Sequence, residues 1–158
     1  MSDYRPAVVP LNAFKDNYIW TLRNADRIVV VDPGQAAPVL DYIDRERVEL
    51  TAILATHHHN DHVGGIAELL ARRRVPVFGP RGEPIDTLTD PVGGGDRVDL
   101  PGIGATLEVL DIPGHTRAHI AYYGNYYGAK VLFCGDTLFA CGCGRVFEGT
   151  PEQMYTSL

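Results

Sequence analysis

The sequence predicts an α+β fold in which sheet and helix stack in layers, on the strength of three observations. Segments with helical apolar spacing lie between β-branched runs in the first half, and strand-like runs separated by Gly and Asn turns follow one another in the second. The 158 residues are 45% hydrophobic, which suits one domain with a buried core and excludes a disordered or fibrous chain.

From the start, AVVPL and NYIWTL read as strands, and RIVVVDPG is a β-branched run stopped by Pro33-Gly34. AAPVLDYIDRER follows with Val39, Leu40 and Ile43 at helical spacing. LTAILAT is a short buried strand that runs into a histidine cluster, GGIAELLARRR is a helix behind it, and VPVFGP is another strand. EPIDTLTDPVGGGD is turn-rich; its three successive glycines have neither phosphate-loop spacing nor a Lys-Ser/Thr pair, so it reads as a loop. Strands follow at RVDL, ATLEVLDIPG, HIAYYG and KVLFCGD. Thr150-Pro151-Glu152-Gln153 combines a capping hydroxyl, a proline at the first helical position and a Gln three residues after the cap, the signature of a helix start. Five residues remain after Gln153 and no stop signal ends them, so the chain is expected to break off inside an element.

Charge and composition narrow the function. A formal charge of −6 disfavours general binding to phosphate backbones, and the one basic run, Arg72-Arg73-Arg74, closes a helix where cations complement the C-terminal end. Nowhere do about 18 apolar residues follow one another, so no membrane span is expected, and MSDYRPAVVPLNAF lacks the basic start and apolar block of a signal peptide. Cys134, Cys141 and Cys143 are an odd number, two of them one residue apart, which argues against a disulfide framework and for a reducing cytoplasm.

The stretch THHHNDHVGG, residues 56–65, holds four of the chain's six histidines. In extended chain His57 and His59 point to one side and His58 to the other, so two imidazoles meet at one point, while Asp61 and His62 reach a second point after the turn. Imidazole nitrogen and carboxylate oxygen are ligands for zinc and similar divalent ions, and imidazoles crowd unfavourably without a cation. Two later strand ends complete the set: His115 follows a Pro-Gly turn and Asp136 follows an apolar run, where a carboxylate can bridge two ions. His119 reads as a packing or supporting residue, and Asp32 as a structural acceptor near the site.

The order His-x-His-x-Asp-His, then a distant His and a distant Asp, resembles the metallo-β-lactamase superfamily, met here by His57, His59, Asp61, His62, His115 and Asp136. Within it, KDNYIW, THHHNDHVGG, PGHT and GDTLFACGCGRVFEGT are similar to the glyoxalase II (hydroxyacylglutathione hydrolase) family, over the chain from Asp16 to its end. The resemblance implies a four-layer αββα sandwich with two divalent ions, zinc first and iron or manganese as alternatives. One ion would be held by His57, His59 and His115 and the other by Asp61 and His62, with Asp136 bridging. It implies hydrolysis of S-2-hydroxyacylglutathione, typically S-D-lactoylglutathione, to glutathione and D-lactate, the chemistry of methylglyoxal detoxification. Asp61 would orient the attacking water and take up its proton, which requires no serine or cysteine nucleophile. Arg145, Val146 and Phe147 match glutathione-contacting positions, with Phe147 where some relatives have tyrosine, and the GCG turn around Cys143 would be structural.

The family also places a seventh ligand, a histidine, and a helical substrate-binding domain beyond the segment matched here. Residues 1–158 are therefore expected to be an incomplete metallo-β-lactamase-like domain, its C-terminal part missing, and a weak or inactive hydrolase when taken alone. Two alternatives stand beside this one. A mono-iron persulfide dioxygenase shares the fold, the glutathione thiol and a similar GCGR turn. A non-catalytic metal-binding fragment would instead self-associate through exposed sheet edges. No lactam carboxylate pocket and no nucleic-acid or membrane partner is indicated.

Overall fold

The computed structural model describes residues 6–158; the first five residues of the N-terminal segment read above for a leader lie outside the described residues. Strand β1 (Ala7–Ala13) pairs antiparallel with β2 (Asn17–Asn24), which turns through Ala25, at φ 52°, into antiparallel β3 (Arg27–Val31). Helix α1 (Ala37–Glu46) then crosses the sheet, turning Val39 and Tyr42 inward, so that β4 (Glu49–Leu54) returns parallel to β3. Two helices follow, the short α2 (Asn60–Val63) and α3 (Ile66–Arg72), then the parallel strands β5 (Val77–Pro80) and β6 (Asp90–Val92). The first sheet thus runs β1-β2-β3-β4-β5-β6.

The second sheet is the antiparallel meander expected from the later half. Strands β7 (Arg97–Leu100), β8 (Ala105–Asp111), β9 (Ile120–Tyr126) and β10 (Ala129–Phe133) lie in the order β10-β9-β8-β7. A small hairpin of β11 (Leu138–Phe139) and β12 (Gly142–Cys143) follows, then helix α4 (Pro151–Ser157).

Why the sheets stack is visible in β3. Ile28, Val29, Val30 and Val31 are all fully buried, as a strand covered on both faces requires. Side chains alternate between faces, so Ile28 and Val30 join Val39, Tyr42, Ile53, Ile66 and Leu69 in a core beneath the helices. Val29 and Val31 join Leu54, Leu107, Val109, Ile120 and Tyr122 in a second core between the sheets. Helices, sheet and sheet are therefore three successive layers. The outer face of the second sheet turns Glu108, Leu110, Lys130 and Leu132 outward.

Three details differ from the sequence reading. Residues 83–96, expected to be loop throughout, contain β6; it is an edge strand, so Pro91 costs no ladder bond with a further neighbour. Asp61 and His62 sit on α2 rather than in an open turn. The segment around Cys141 and Cys143 contains the β11–β12 hairpin, and all three cysteines are free. At α4 the expected cap is present. The Thr150 hydroxyl accepts from the Gln153 N–H at 3.2 Å, and Gln153 Oε1 accepts from the Thr150 N–H at 2.9 Å. A seven-residue helix is weak alone, but this one buries Met154 and its Ser157 hydroxyl donates to the Pro113 carbonyl at 2.8 Å. Arg72 lies in the last turn of α3 and Arg73 at its C-cap, as the helix-end reading of that basic run expects, and the two also pair with Asp44 and Glu49 on the surface.

Candidate metal centre

The chemistry-bearing residues gather where strands end. Asp32 follows β3, Thr56 and His57 follow β4, His115 follows β8 and Asp136 follows β10. Side chains that are far apart in sequence meet because the two sheets stack with these ends together.

Among the described residues four overlapping groupings form there, and two of them consist wholly of the ligand residues expected from the sequence. One nitrogen from each of His57, His59 and His115 lies within 4.8 Å of the others, and the same holds for one atom each of Asp61, His62 and Asp136. Asp136 stands between the clusters: one carboxylate oxygen is 3.1 Å from His62 Nε2 and the other 3.3 Å from His115 Nε2. Asp61 Oδ2 is 3.5 Å from His62 Nε2 and is itself held by the Asn17 amide at 2.9 Å.

The hydrogen bonds decide which nitrogen of each ring faces the cluster. Thr56 has one hydroxyl proton and Asp32 Oδ2, at 2.7 Å, receives it. That hydroxyl can therefore only accept at its 3.0 Å contact with His57, so the His57 proton is on Nδ1. His57 Nε2 is left buried without a hydrogen-bond partner, its lone pair directed into the cluster. His115 Nδ1 donates to the Arg145 carbonyl at 2.7 Å and His62 Nδ1 to Asp32 at 3.0 Å. Both leave Nε2 toward the acids and imidazoles. His59 instead turns Nδ1 inward, 3.0 Å from His115 Nε2. An orphaned buried nitrogen facing other acceptors fits a cation, and backbone or carboxylate partners on the far nitrogen are what hold ligating imidazoles in place.

Electrostatics agree. Burial, reinforced by the crowding of His62, His119 and other imidazoles, pushes His57 far below its usual range, so it stays neutral. Burial and then His115 and His58 lower His59 as well. For His62 burial works against the proton, but Asp136 and Asp32 outweigh it and raise the ring to about 10. The Asp136 carboxyl, despite burial, is held below its ordinary value by His62. A cation between His62 and Asp136 would take that proton's place.

Of the residues predicted from sequence, His57, His59, Asp61, His62, His115 and Asp136 are brought together. Asp32 lies beneath them, accepting from the Thr56 N–H, the Thr56 hydroxyl and His62. His119 is buried and stacked 4.5 Å from His57, and its Nε2 accepts from the Asp136 N–H at 3.2 Å, so that nitrogen is engaged. The Phe147 ring stands edge-on to His59 and His115, at 5.5 and 5.3 Å, with the Arg145 guanidinium 5.6 Å from it and Val146 half-buried between them. An open groove of about 790 Å³ reaches Asp61, His62 and Asp136 between Asn17, Tyr18 and Trp20 on one side and Leu138 and Phe139 on the other.

Sequence reasoning missed Asn17, Thr56, the Arg145 carbonyl, Glu83 and Glu148. Asn17, Thr56, Arg145 and Glu148 all lie inside motifs already singled out, KDNYIW, THHHNDHVGG and GDTLFACGCGRVFEGT, whereas nothing local marks Glu83.

A two-sheet sandwich with one helical face and a His/Asp cluster at its strand ends defines a class of α+β proteins with a candidate metal site. The model of the metallo-β-lactamase superfamily matches residues 14–158, and the chain belongs to that superfamily. The clustered side chains and this membership support divalent-metal binding. A hydroxyacylglutathione hydrolase of Nitrosomonas eutropha is 53% identical over 151 residues, which cover 96% of this chain and 58% of the relative. The chain thus spans a little over half the length of the curated relatives it matches. Among solved structures, the B3 metallo-β-lactamase BLEG-1 aligns with a TM-score of 0.81 at 25% identity, covering 96% of this chain and 83% of that one. The di-iron-bound form of TTHA1623 aligns at 0.73 and 25% identity, covering 98% and 83%.

Proposed function

We propose that this chain carries the metal centre of a glutathione thioester hydrolase acting on S-2-hydroxyacylglutathione, S-D-lactoylglutathione above all, to give glutathione and a 2-hydroxy acid such as D-lactate. The observation that carries the reading is the convergence of six ligand-type side chains with Asp136 facing both clusters. His57, His59 and His115 would hold one divalent ion and Asp61 and His62 the other, with Asp136 placed to serve either. Zinc suits this nitrogen-and-carboxylate set; iron and manganese are the alternatives. Bound ions supply Lewis-acid polarisation of the thioester carbonyl and acidify water.

The protein's own groups do the rest. Asp61, half exposed at the head of the groove and fixed by Asn17, accepts the hydrogen bond of the attacking water and takes its proton. Phe147 and Val146 give the thioester an apolar wall beside His59 and His115, and the Arg145 guanidinium pairs with a glutathione carboxylate. The substrate is a small molecule from the reducing cytoplasm. The names of the hydroxyacylglutathione hydrolases at about half identity support the substrate class.

The test is metal analysis together with S-D-lactoylglutathione turnover, on this chain and on the chain extended to the relatives' length. Divalent metal lost in His57→Ala, and metal-dependent release of glutathione lost in Asp61→Asn, are expected. A protein that binds metal but consumes oxygen with a glutathione persulfide, and leaves the thioester intact, would replace the hydrolase with a dioxygenase.

A further inference from the structure

His58 is the motif histidine that faces away from both clusters, yet neither of its ring nitrogens is idle. Nδ1 meets the Glu83 carboxylate and Nε2 lies 3.2 Å from Glu148. Glu83 has a side chain only 1% exposed, and burying a carboxylate is unfavourable unless its oxygens are satisfied. They are. Besides the His58 ring, Glu83 accepts from the His58 N–H at 3.2 Å and the Ala118 N–H at 2.9 Å. It therefore joins the loop of His57 and His59 to the loop that runs from His115 to His119.

Glu148 makes a parallel link. It accepts from the Arg117 N–H at 3.0 Å while facing His58. Glu148 belongs to the segment that also holds His115, through the Arg145 carbonyl on Nδ1 and the Phe147 N–H on the His115 carbonyl at 3.2 Å. Three loops thus meet on one imidazole whose chain neighbours on either side are His57 and His59. We propose that Glu83 and Glu148, acting through His58, are positioning residues that set the spacing between the His57–His59 pair and His115. An apolar side chain would fill the buried Glu83 position at less desolvation cost, but it would leave two backbone N–H groups and the ring's Nδ1 without acceptors.

The proposal rests on the metal-ligand reading above, and cobalt(II) titration separates the two. Binding is followed by visible absorption and by competition with a chromophoric chelator, alongside the thermal midpoint of each metal-free variant. Glu83→Ala is expected to weaken the tightest cobalt site by roughly tenfold to a hundredfold, the range for supporting groups around a metal, and to alter the cobalt spectrum. Glu83→Gln, whose amide oxygen still accepts, should recover most of the affinity. Glu148→Ala, at a partly exposed position, should shift spectrum and affinity with a metal-free midpoint close to the parent's. Should Glu83→Ala fail to fold, Glu148→Ala decides alone. Variants that bind cobalt within twofold of the parent with its spectrum overturn the positioning role and leave the metal reading intact. A parent chain that binds no cobalt overturns both.

Discussion

Replacing Asp32 by alanine tests whether the centre is held from beneath. The Asp32 carboxylate accepts three hydrogen bonds: from the Thr56 N–H at 2.8 Å, the Thr56 hydroxyl at 2.7 Å and His62 Nδ1 at 3.0 Å. Thr56 is fully buried, whereas Asp32 and His62 line the groove, so water that follows the lost carboxylate can recover part of the cost and the losses that follow are upper values. A buried donor left unsatisfied costs about 1–3 kcal/mol, and the hydroxyl can turn elsewhere, so two stranded N–H groups set the loss at roughly 2–6 kcal/mol. Asp32 also adopts φ 53°, a left-handed backbone that costs alanine about 1 kcal/mol more than aspartate, whose side chain hydrogen-bonds locally. For a chain of this size each kcal/mol moves the midpoint by about 2–4 °C, so Asp32→Ala should lower the metal-free midpoint by roughly 6–28 °C. Thermal unfolding followed by circular dichroism measures this directly. Asp32→Asn, which keeps one accepting oxygen, should fall between. A drop under about 2 °C for Asp32→Ala would refute the argument, because it would mean the three bonds carry no net stability.

Other perturbations read different parts of the site. At Gly34 an added Cβ would lie 1.8 Å from the Asp61 carbonyl oxygen and 2.4 Å from its carbon, and backbone cannot swing aside. Gly34→Ala should therefore displace the start of α2, destabilise by about 1–3 kcal/mol and weaken metal binding measured by chelator competition. At Gly144 the Cβ would meet the Asp136 carbonyl at 1.7 Å and His115 Nδ1 at 3.1 Å; Gly144→Ala should show the same loss, whereas Gly142→Ala, with open space around it, should match the parent. His119 is pushed down to about 4 by burial from an ordinary 6.5. The unfolded chain thus binds a proton that the folded chain refuses between these values, so stability falls as pH falls below 6.5. His119 alone contributes a loss of about 2 kcal/mol between pH 7 and 5 and His57 acts in the same direction, while His62, raised to about 10, returns about 1 kcal/mol over the same interval, so the net change is a loss. Equal urea midpoints of the metal-free chain at those two pH values would contradict this.

Periodicity and turn chemistry made most of the fold legible in the sequence. The central place of β3 follows from four consecutive β-branched residues, Ile28 to Val31, a run that is accommodated only where both faces are covered. β6 was hidden because Asp90-Pro91-Val92 has neither alternation nor propensity; its pairing with β5 comes from tertiary position alone. The ligand-type residues were legible because His57 and Asp136 each follow an apolar run, where a strand must deliver them, and His59, Asp61 and His62 crowd within five positions of His57. Their supports were not: Asn17 reaches Asp61 across 44 residues and Glu83 reaches Ala118 across 35. A lone Asn or Glu carries no mark of the distant loop it will tie.

The two downstream histidines show the limit most clearly. His115 and His119 are four residues apart, both buried, both within ring contact of His57. Composition and burial do not tell them apart. What does is the group opposite each Nε2. His115 donates Nδ1 to the Arg145 carbonyl and turns Nε2 to Asp136 and His59, two groups that share its affinity for a cation. His119 also donates Nδ1 to a carbonyl, that of Ile120, but its Nε2 meets the Asp136 N–H, a donor that consumes the lone pair. One imidazole is thereby free to bind and the other is committed to holding the backbone of Asp136. Substitution separates them: His119→Asn, able to accept that N–H through its side-chain oxygen, should retain more metal affinity than His115→Asn. Equal loss in the two, by chelator competition, would show that Nε2 of His119 is not committed in this way.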